Sequence, residues 1–178
     1  MKKKTNVMYL SQSACIAALY AVMTYLAASM NLAFSGVQFR FSEALTILPL
    51  FTPAAIPGLT LGCLISNLAS PLGIVDWIFG PLATFLACLV TRKLRDVKLV
   101  NIPFLSILSP VIFNAVIIGF EIAALTDNGF SFSAVTFSAF TYQALSVGLG
   151  ELLVLLILGI PLYFMLKKSN VFEKFKLK

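Results

Sequence analysis

The sequence predicts an all-α membrane protein: a six-transmembrane-helix bundle with both termini cytoplasmic and a short hairpin-like first outer loop. Three observations lead there. Of 178 residues, 60% are hydrophobic and only 11% charged, against roughly 25% charged in a soluble domain, and the mean hydropathy is +0.97. So few charges cannot cover a water-facing surface, but a lipid-facing one needs none. The apolar residues gather in runs close to the roughly 20 residues that cross a bilayer. The basic residues gather in clusters whose spacing constrains the number of crossings.

Each element follows from these patterns. The first span covers residues 9–29, after Lys2, Lys3 and Lys4. Its basic start and Ala27-Ala28-Ser29 also have the look of a signal peptide. The run is long for one, however, and more membrane follows, so the segment is expected to be retained. Residues 43–70 are ambiguous, broken by Pro49, Pro53, Pro57 and Gly58. The fourth apolar run, 74–91, ends at Arg92, Lys93, Arg95 and Lys98. Further spans cover 103–125 and 139–166, the last followed by Lys167, Lys168, Lys174, Lys176 and Lys178. All 13 Lys and Arg except Arg40 thus fall in three clusters. Basic residues accumulate on the cytoplasmic side, so an even number of spans must separate the clusters. The ambiguous region therefore reads as two short spans, 43–54 and 57–70, turning at 53–58.

This topology sends residues 30–42, 71–76 and 126–138 outward, and the basic loop 92–101 inward. In the first outer loop Val37, Phe39 and Phe41 alternate with Gln38, Arg40 and Ser42, a period of two that predicts a strand or hairpin over the bundle mouth. Ala54, Gly58, Gly62, Ser66 and Ser70 recur every four residues and make a stripe for close helix packing in lipid. The first helix carries Ala14 with Ala18 and Ala17 with Ala21, either a second packing face or a docking surface for another membrane protein.

Polar side chains inside a span need an interior or a cavity to face. Asn67, Asn114, Glu121, Tyr142, Gln143 and Glu151 fall within spans, and Arg40, Glu43, Asp76 and Trp77 lie at the outer boundary. Asn67, Glu121, Tyr142 and Gln143 lie toward the outer ends of their spans, with Glu151 and Asn114 deeper, so residues from different helices share one end of the bundle, which points to a polar cavity open to the outside. Simpler roles compete for some of them. Arg40 and Glu43 can pair with each other, Asp76 can cap a helix, Trp77 can sit in an aromatic belt, and Asn67 and Asn114 can join helices. Glu121 and Glu151, set among Ile, Ala and Leu, demand a partner or a proton. With Glu43, Asp76, Glu121 and Asp127 against Arg40, the outer end favours a cation.

The chain has no His, which removes the usual general base and metal ligand. Cys15, Cys63 and Cys88 are odd in number and far apart, so they read as buried thiols with no zinc site or disulfide. No phosphate-binding G-x-x-x-x-G-K-[ST], H-E-x-x-H, G-x-S-x-G or C-x-x-C run is present. The chain is therefore expected not to be an enzyme, and to draw any energy for uphill transport from an ion gradient or from partner proteins.

Six short spans, the Ala14/Ala18 pair and the capping outer loop resemble the substrate-binding S components of energy-coupling factor (ECF) transporters. The stretch Val37-Gln-Phe-Arg-Phe-Ser-Glu-Ala-Leu-Thr-Ile-Leu-Pro-Leu-Phe51, then Thr52-Pro-Ala-Ala-Ile-Pro-Gly58, then Asn67-Leu-Ala-Ser-Pro-Leu-Gly-Ile-Val-Asp-Trp77 and Gly80-Pro81, is similar to the QueT family over nearly the whole chain. That resemblance implies uptake of a queuosine precursor, chiefly 7-aminomethyl-7-deazaguanine (preQ1). It implies partners as well: a membrane-embedded T subunit, contacted at Ala14 and Ala18, and two cytosolic ATPases. The chain itself would then need no cofactor, since ATP is hydrolysed by the partner subunits, and no nucleic acid. The candidate substrate-binding set remains the one read from the polar residues, Arg40, Glu43, Asn67, Asp76, Trp77, Glu121, Tyr142, Gln143 and Glu151, and the implied substrate fits it: carboxylates can accept from ring N–H groups and an ammonium, and an aromatic ring can stack on the base. Two other readings stay open: an S component for a different vitamin or purine, and a stand-alone ion-coupled carrier with Glu121 or Glu151 as its proton site.

Overall fold

A computed structural model describes residues 2–33, 39–97, 102–126 and 129–169. The expectations for Val37, Gln38, Lys98, Asp127 and the basic residues beyond 169 lie outside the described residues.

Helix α1 (Lys2–Ser29) contains no Gly or Pro and runs unbroken for 28 residues. It stops at Asn31, whose φ of 57° is left-handed, a conformation that Asn tolerates better than most residues. The Leu32 N–H then reaches back to the Ala27 carbonyl at 2.9 Å.

Phe41–Leu50 winds as a 3-10 segment rather than continuing a strand, so the predicted alternation over Phe39–Ser42 fails at Phe41. The reason is burial: every residue from Ser42 to Pro49 is enclosed. A helix closes its own backbone hydrogen bonds, while a lone strand in the bundle centre leaves them unmet. The segment packs against α1, α2 (Ala55–Asn67), α3 (Ile74–Lys93), α4 (Phe104–Ala123) and α5 (Phe137–Val154). It also packs against a π turn, Leu155–Gly159, that joins α5 to α6 (Ile160–Ser169). The hairpin that the described residues do contain lies later: β1 (Leu125–Thr126) pairs antiparallel with β2 (Gly129–Phe130), Leu125 facing Phe130. Its Phe130 and the following Phe132 lie against Phe79 of α3 and Phe120 of α4, with ring centroids 5.8 Å and 6.1 Å apart.

Among the described residues, four helical stretches are long and apolar enough to cross a membrane: Asn6–Ser29, Ile74–Lys93, Phe104–Ala123 and the continuous Phe137–Ser169. The other two, the 3-10 segment and α2, have 10 and 13 residues and are each about 20 Å long. The turn between these two is held by α1. The Tyr9 hydroxyl donates to the Pro53 carbonyl at 3.3 Å and Ser13 Oγ to the Ala54 carbonyl at 2.9 Å.

Small residues set how near α2 comes to α1. A Cβ on Gly62 would stand 2.8 Å from Tyr20 Cβ and 2.9 Å from the Ala17 carbonyl oxygen. The stripe predicted on α2 is therefore an internal packing face. Its counterpart is the Ala17/Ala21 side of α1, which is buried, while Ala14 and Ala18 face out. Cys63 and Cys88 are buried as predicted; Cys15 is exposed on the outward side of α1, a correction to its reading as a buried thiol.

The distribution of polarity is the reverse of a water-soluble domain. Leu19, Val22, Leu61, Ile65, Ile78 and Leu149 point outward, while Arg40, Glu43, Asn67, Asp76, Glu121 and Glu151 are buried. Lipid as the outer solvent accounts for both halves of that pattern.

Candidate functional site

The polar interior is built in two connected parts. The first is centred on Arg40, which precedes the 3-10 segment in extended conformation. Its Nε donates to the Ala33 carbonyl at 3.2 Å, its Nη1 to Asn67 Oδ1 at 3.3 Å, and its Nη2 lies 3.6 Å from Asp76 Oδ2. Asn67 in turn donates through Nδ2 to Asp76 Oδ1 at 2.8 Å and to the Asp76 carbonyl at 2.9 Å. Burial works against the Arg40 charge, and the adjacent Asp76 carboxylate favours it. Gly80 lets this part close, because a Cβ there would overlap Asn67 Nδ2. Asp76 lies in the first turn of α3, whose N-cap is Gly73. Its side chain serves Arg40 and Asn67, so a capping role for it does not hold.

The second part surrounds Glu43. The Tyr20 hydroxyl of α1 donates to Glu43 Oε1, and Thr24 Oγ1 donates to Ser42 Oγ at 2.7 Å. Asn114 of α4 adjoins both Glu43 and Glu151 of α5. Glu43 Oε2 and Glu151 Oε1 are buried without a hydrogen-bond partner among the described residues, and so are both carboxylate oxygens of Glu121. Glu121 is within electrostatic reach of Asp76 and Arg40.

A cavity joins the two parts. Arg40, Glu43, Asn114 and Glu151 line its polar side, and Ile118 and Val147 its apolar side. It holds about 10 Å³, close to the room needed for one water. A bicyclic ligand therefore enters only if the helices around it move apart.

Of the residues expected at the site, the structure brings Arg40, Glu43, Asn67, Asp76, Glu121 and Glu151 together in the interior. Trp77 and Tyr142 do not join them: they are 37% and 72% exposed. Gln143 is half-buried and lies outside the cavity lining. Sequence reasoning missed Tyr20, Cys63 and Thr84, which belong to this region. Two signals were present. Ser13, Tyr20 and Thr24 recur at helical spacing on one face of α1, and Asp76, Gly80 and Thr84 do so on α3. Asn114, expected as a link between helices, does sit between two acids from different elements.

Among the described residues, four carboxyl groups share this interior with one guanidinium. Unpaired buried charge is costly, so the arrangement suits a cationic ligand rich in hydrogen-bond donors. Among the described residues no group of His, Cys, Asp and Glu suited to holding a metal ion is present.

Comparison with known proteins agrees with a transport role. Residues 10–168 match the QueT transporter family. A relative described as queuosine precursor transporter QueT, from Lactococcus lactis subsp. cremoris (strain MG1363), is 35% identical over 82 residues, 46% of this chain and 48% of the relative. The match thus spans about half the length of that curated relative. No solved structure matches the chain.

Proposed function

Because this chain belongs to the QueT transporter family, a family of multi-pass membrane transporters and not of enzymes, we propose that it is the substrate-binding S component of an ECF-type importer. Its substrate is a queuosine precursor, preQ1 or a close relative. The protein sits in the cell membrane with both termini cytoplasmic, as the clustering of Lys and Arg favours. It takes substrate from the outside and docks on a T subunit energised by two ATPases.

The observation that carries this reading is the buried acid-rich chamber, with Glu43, Asp76, Glu121 and Glu151 against Arg40. A deazaguanine amine offers N–H donors on its ring and a positive charge on its arm, and unpartnered carboxylate oxygens accept both. The name of the Lactococcus relative points to the same substrate class. Exposed Ala14 and Ala18 on α1 offer a small-residue face on which a partner's helices can approach closely.

Calorimetry on the purified chain tests the substrate. PreQ1 is expected to bind, and Glu151→Gln to weaken it by about tenfold or more, as loss of a charge-assisted hydrogen bond predicts. No heat with preQ1, together with tight binding of an unrelated vitamin, would overturn the assignment. Co-purification with a T subunit and ATPases tests the assembly. Uptake by this chain alone in ATP-free vesicles would replace it with an ion-coupled carrier.

A further inference from the structure

We propose that Glu43 and Glu151, with Asn114 shared between them, form a subsite for a primary ammonium group, separate from the Arg40–Asn67–Asp76 cluster. The inference deepens the functional reading above and rests on it.

The geometry that supports it has three parts. Both carboxylates line the cavity and are at least nine-tenths buried, at 4% and 5% exposure. Each has one oxygen with no hydrogen-bond partner among the described residues: Oε2 of Glu43 and Oε1 of Glu151. Tyr20 occupies the other oxygen of Glu43 and so fixes the direction in which the unpartnered one faces. The Asn114 amide adjoins both acids. Asn114 lines the same cavity.

An ammonium has three N–H donors and no acceptor. Two unpartnered carboxylate oxygens, from the 3-10 segment and α5, with the Asn114 amide of α4 beside them, are placed to accept from such a group. A planar ring edge with two parallel N–H donors calls for a different arrangement, both oxygens of one carboxylate. Like charges in one buried space repel, and a cation placed between them relieves the repulsion. Arg40 lines the same cavity, but its guanidinium is already ion-paired to Asp76.

The test compares two ligands that differ only in the arm: 7-aminomethyl-7-deazaguanine, which is cationic, and 7-cyano-7-deazaguanine, which is not. Binding is measured by calorimetry on the full chain, wild type, Glu43→Gln and Glu151→Gln. Wild type is expected to prefer the amine. Each variant should lose about ten- to a hundredfold in affinity for the amine, the size of a charge-assisted contact, and keep its affinity for the nitrile, so that the preference collapses. Equal loss for both ligands overturns the subsite, since those acids then read the ring. If a variant fails to fold, wild type alone decides, with the N-acetylated amine added. Rejection of the acetylated and cyano forms supports the subsite, and equal affinity for all three overturns it. Wild type binding none of the deazaguanines is a different failure, which removes the substrate reading itself.

Discussion

The Tyr20 hydroxyl of α1 donates to the Glu43 carboxylate of the 3-10 segment, deep in the bundle. The first helix thus touches the chamber with one face while Ala14 and Ala18 lie exposed on another. Tyr20→Phe removes the donor and strands a second Glu43 oxygen. It should destabilise the protein by about 1–3 kcal/mol, the cost of an unmet buried acceptor, read as a lower unfolding temperature in detergent. It should also weaken preQ1 more than its cyano analogue, an effect that a purely structural role would not produce.

Arg40 and Asp76 are expected to behave as one unit. Arg40→Ala leaves Asp76 buried without its cation and should cost about 3–5 kcal/mol. Asp76→Ala should cost a similar amount. The double substitution should cost clearly less than the sum, as residues in one network do. Additive losses in a double-mutant cycle would show that the 3.6 Å approach carries no coupling.

Gly62, like Gly58 one turn before it, marks a close approach of α2 to α1. Gly62→Ala places a methyl group within 2.9 Å of the Ala17 carbonyl and should cost about 1–3 kcal/mol through overpacking. Because the same methyl group presses on Tyr20, preQ1 affinity should fall with stability. Unchanged thermal unfolding would mean that the helices part without cost.

Ala14→Leu with Ala18→Leu is the complementary case. Both positions are exposed, so stability should change by less than about 0.5 kcal/mol and ligand binding should persist. ATP-driven uptake in the assembled transporter should be lost. Normal uptake would rule out this face as the docking surface.

Trp77→Ala and Tyr142→Ala should leave preQ1 affinity unchanged in calorimetry, since neither side chain lines the cavity. A loss of affinity in either would mean that the liganded protein draws that ring inward.

Much of this architecture was legible from charge and hydropathy. The basic clusters called for two short elements where the apolar run was ambiguous, and two short helices stand there. The buried acids were legible because a carboxylate among aliphatic neighbours cannot face lipid and must turn to the interior. Trp77 and Tyr142 were not, because an aromatic residue near a span end suits a lipid interface as well as a ligand. Tyr20 escaped notice for the opposite reason: in an apolar helix it looks like packing, and only its partner from a distant segment reveals its role. The 3-10 winding of Phe41–Leu50 was hidden because alternation of polar and apolar residues describes a strand only where one face meets solvent. Here both sides are enclosed.

The π turn at Leu155–Gly159 has a consequence for how the last helix can vary. A π turn holds one more residue than an α turn, and one residue is about 100° of helical rotation. The half that carries Glu151 and the half that carries Tyr163, packed on Phe51, are therefore set at independent angles. Deleting one residue from the turn would restore regular winding and swing Tyr163 away from Phe51 while Glu151 kept its heading. The extra residue acts as a phase shifter within a single rod.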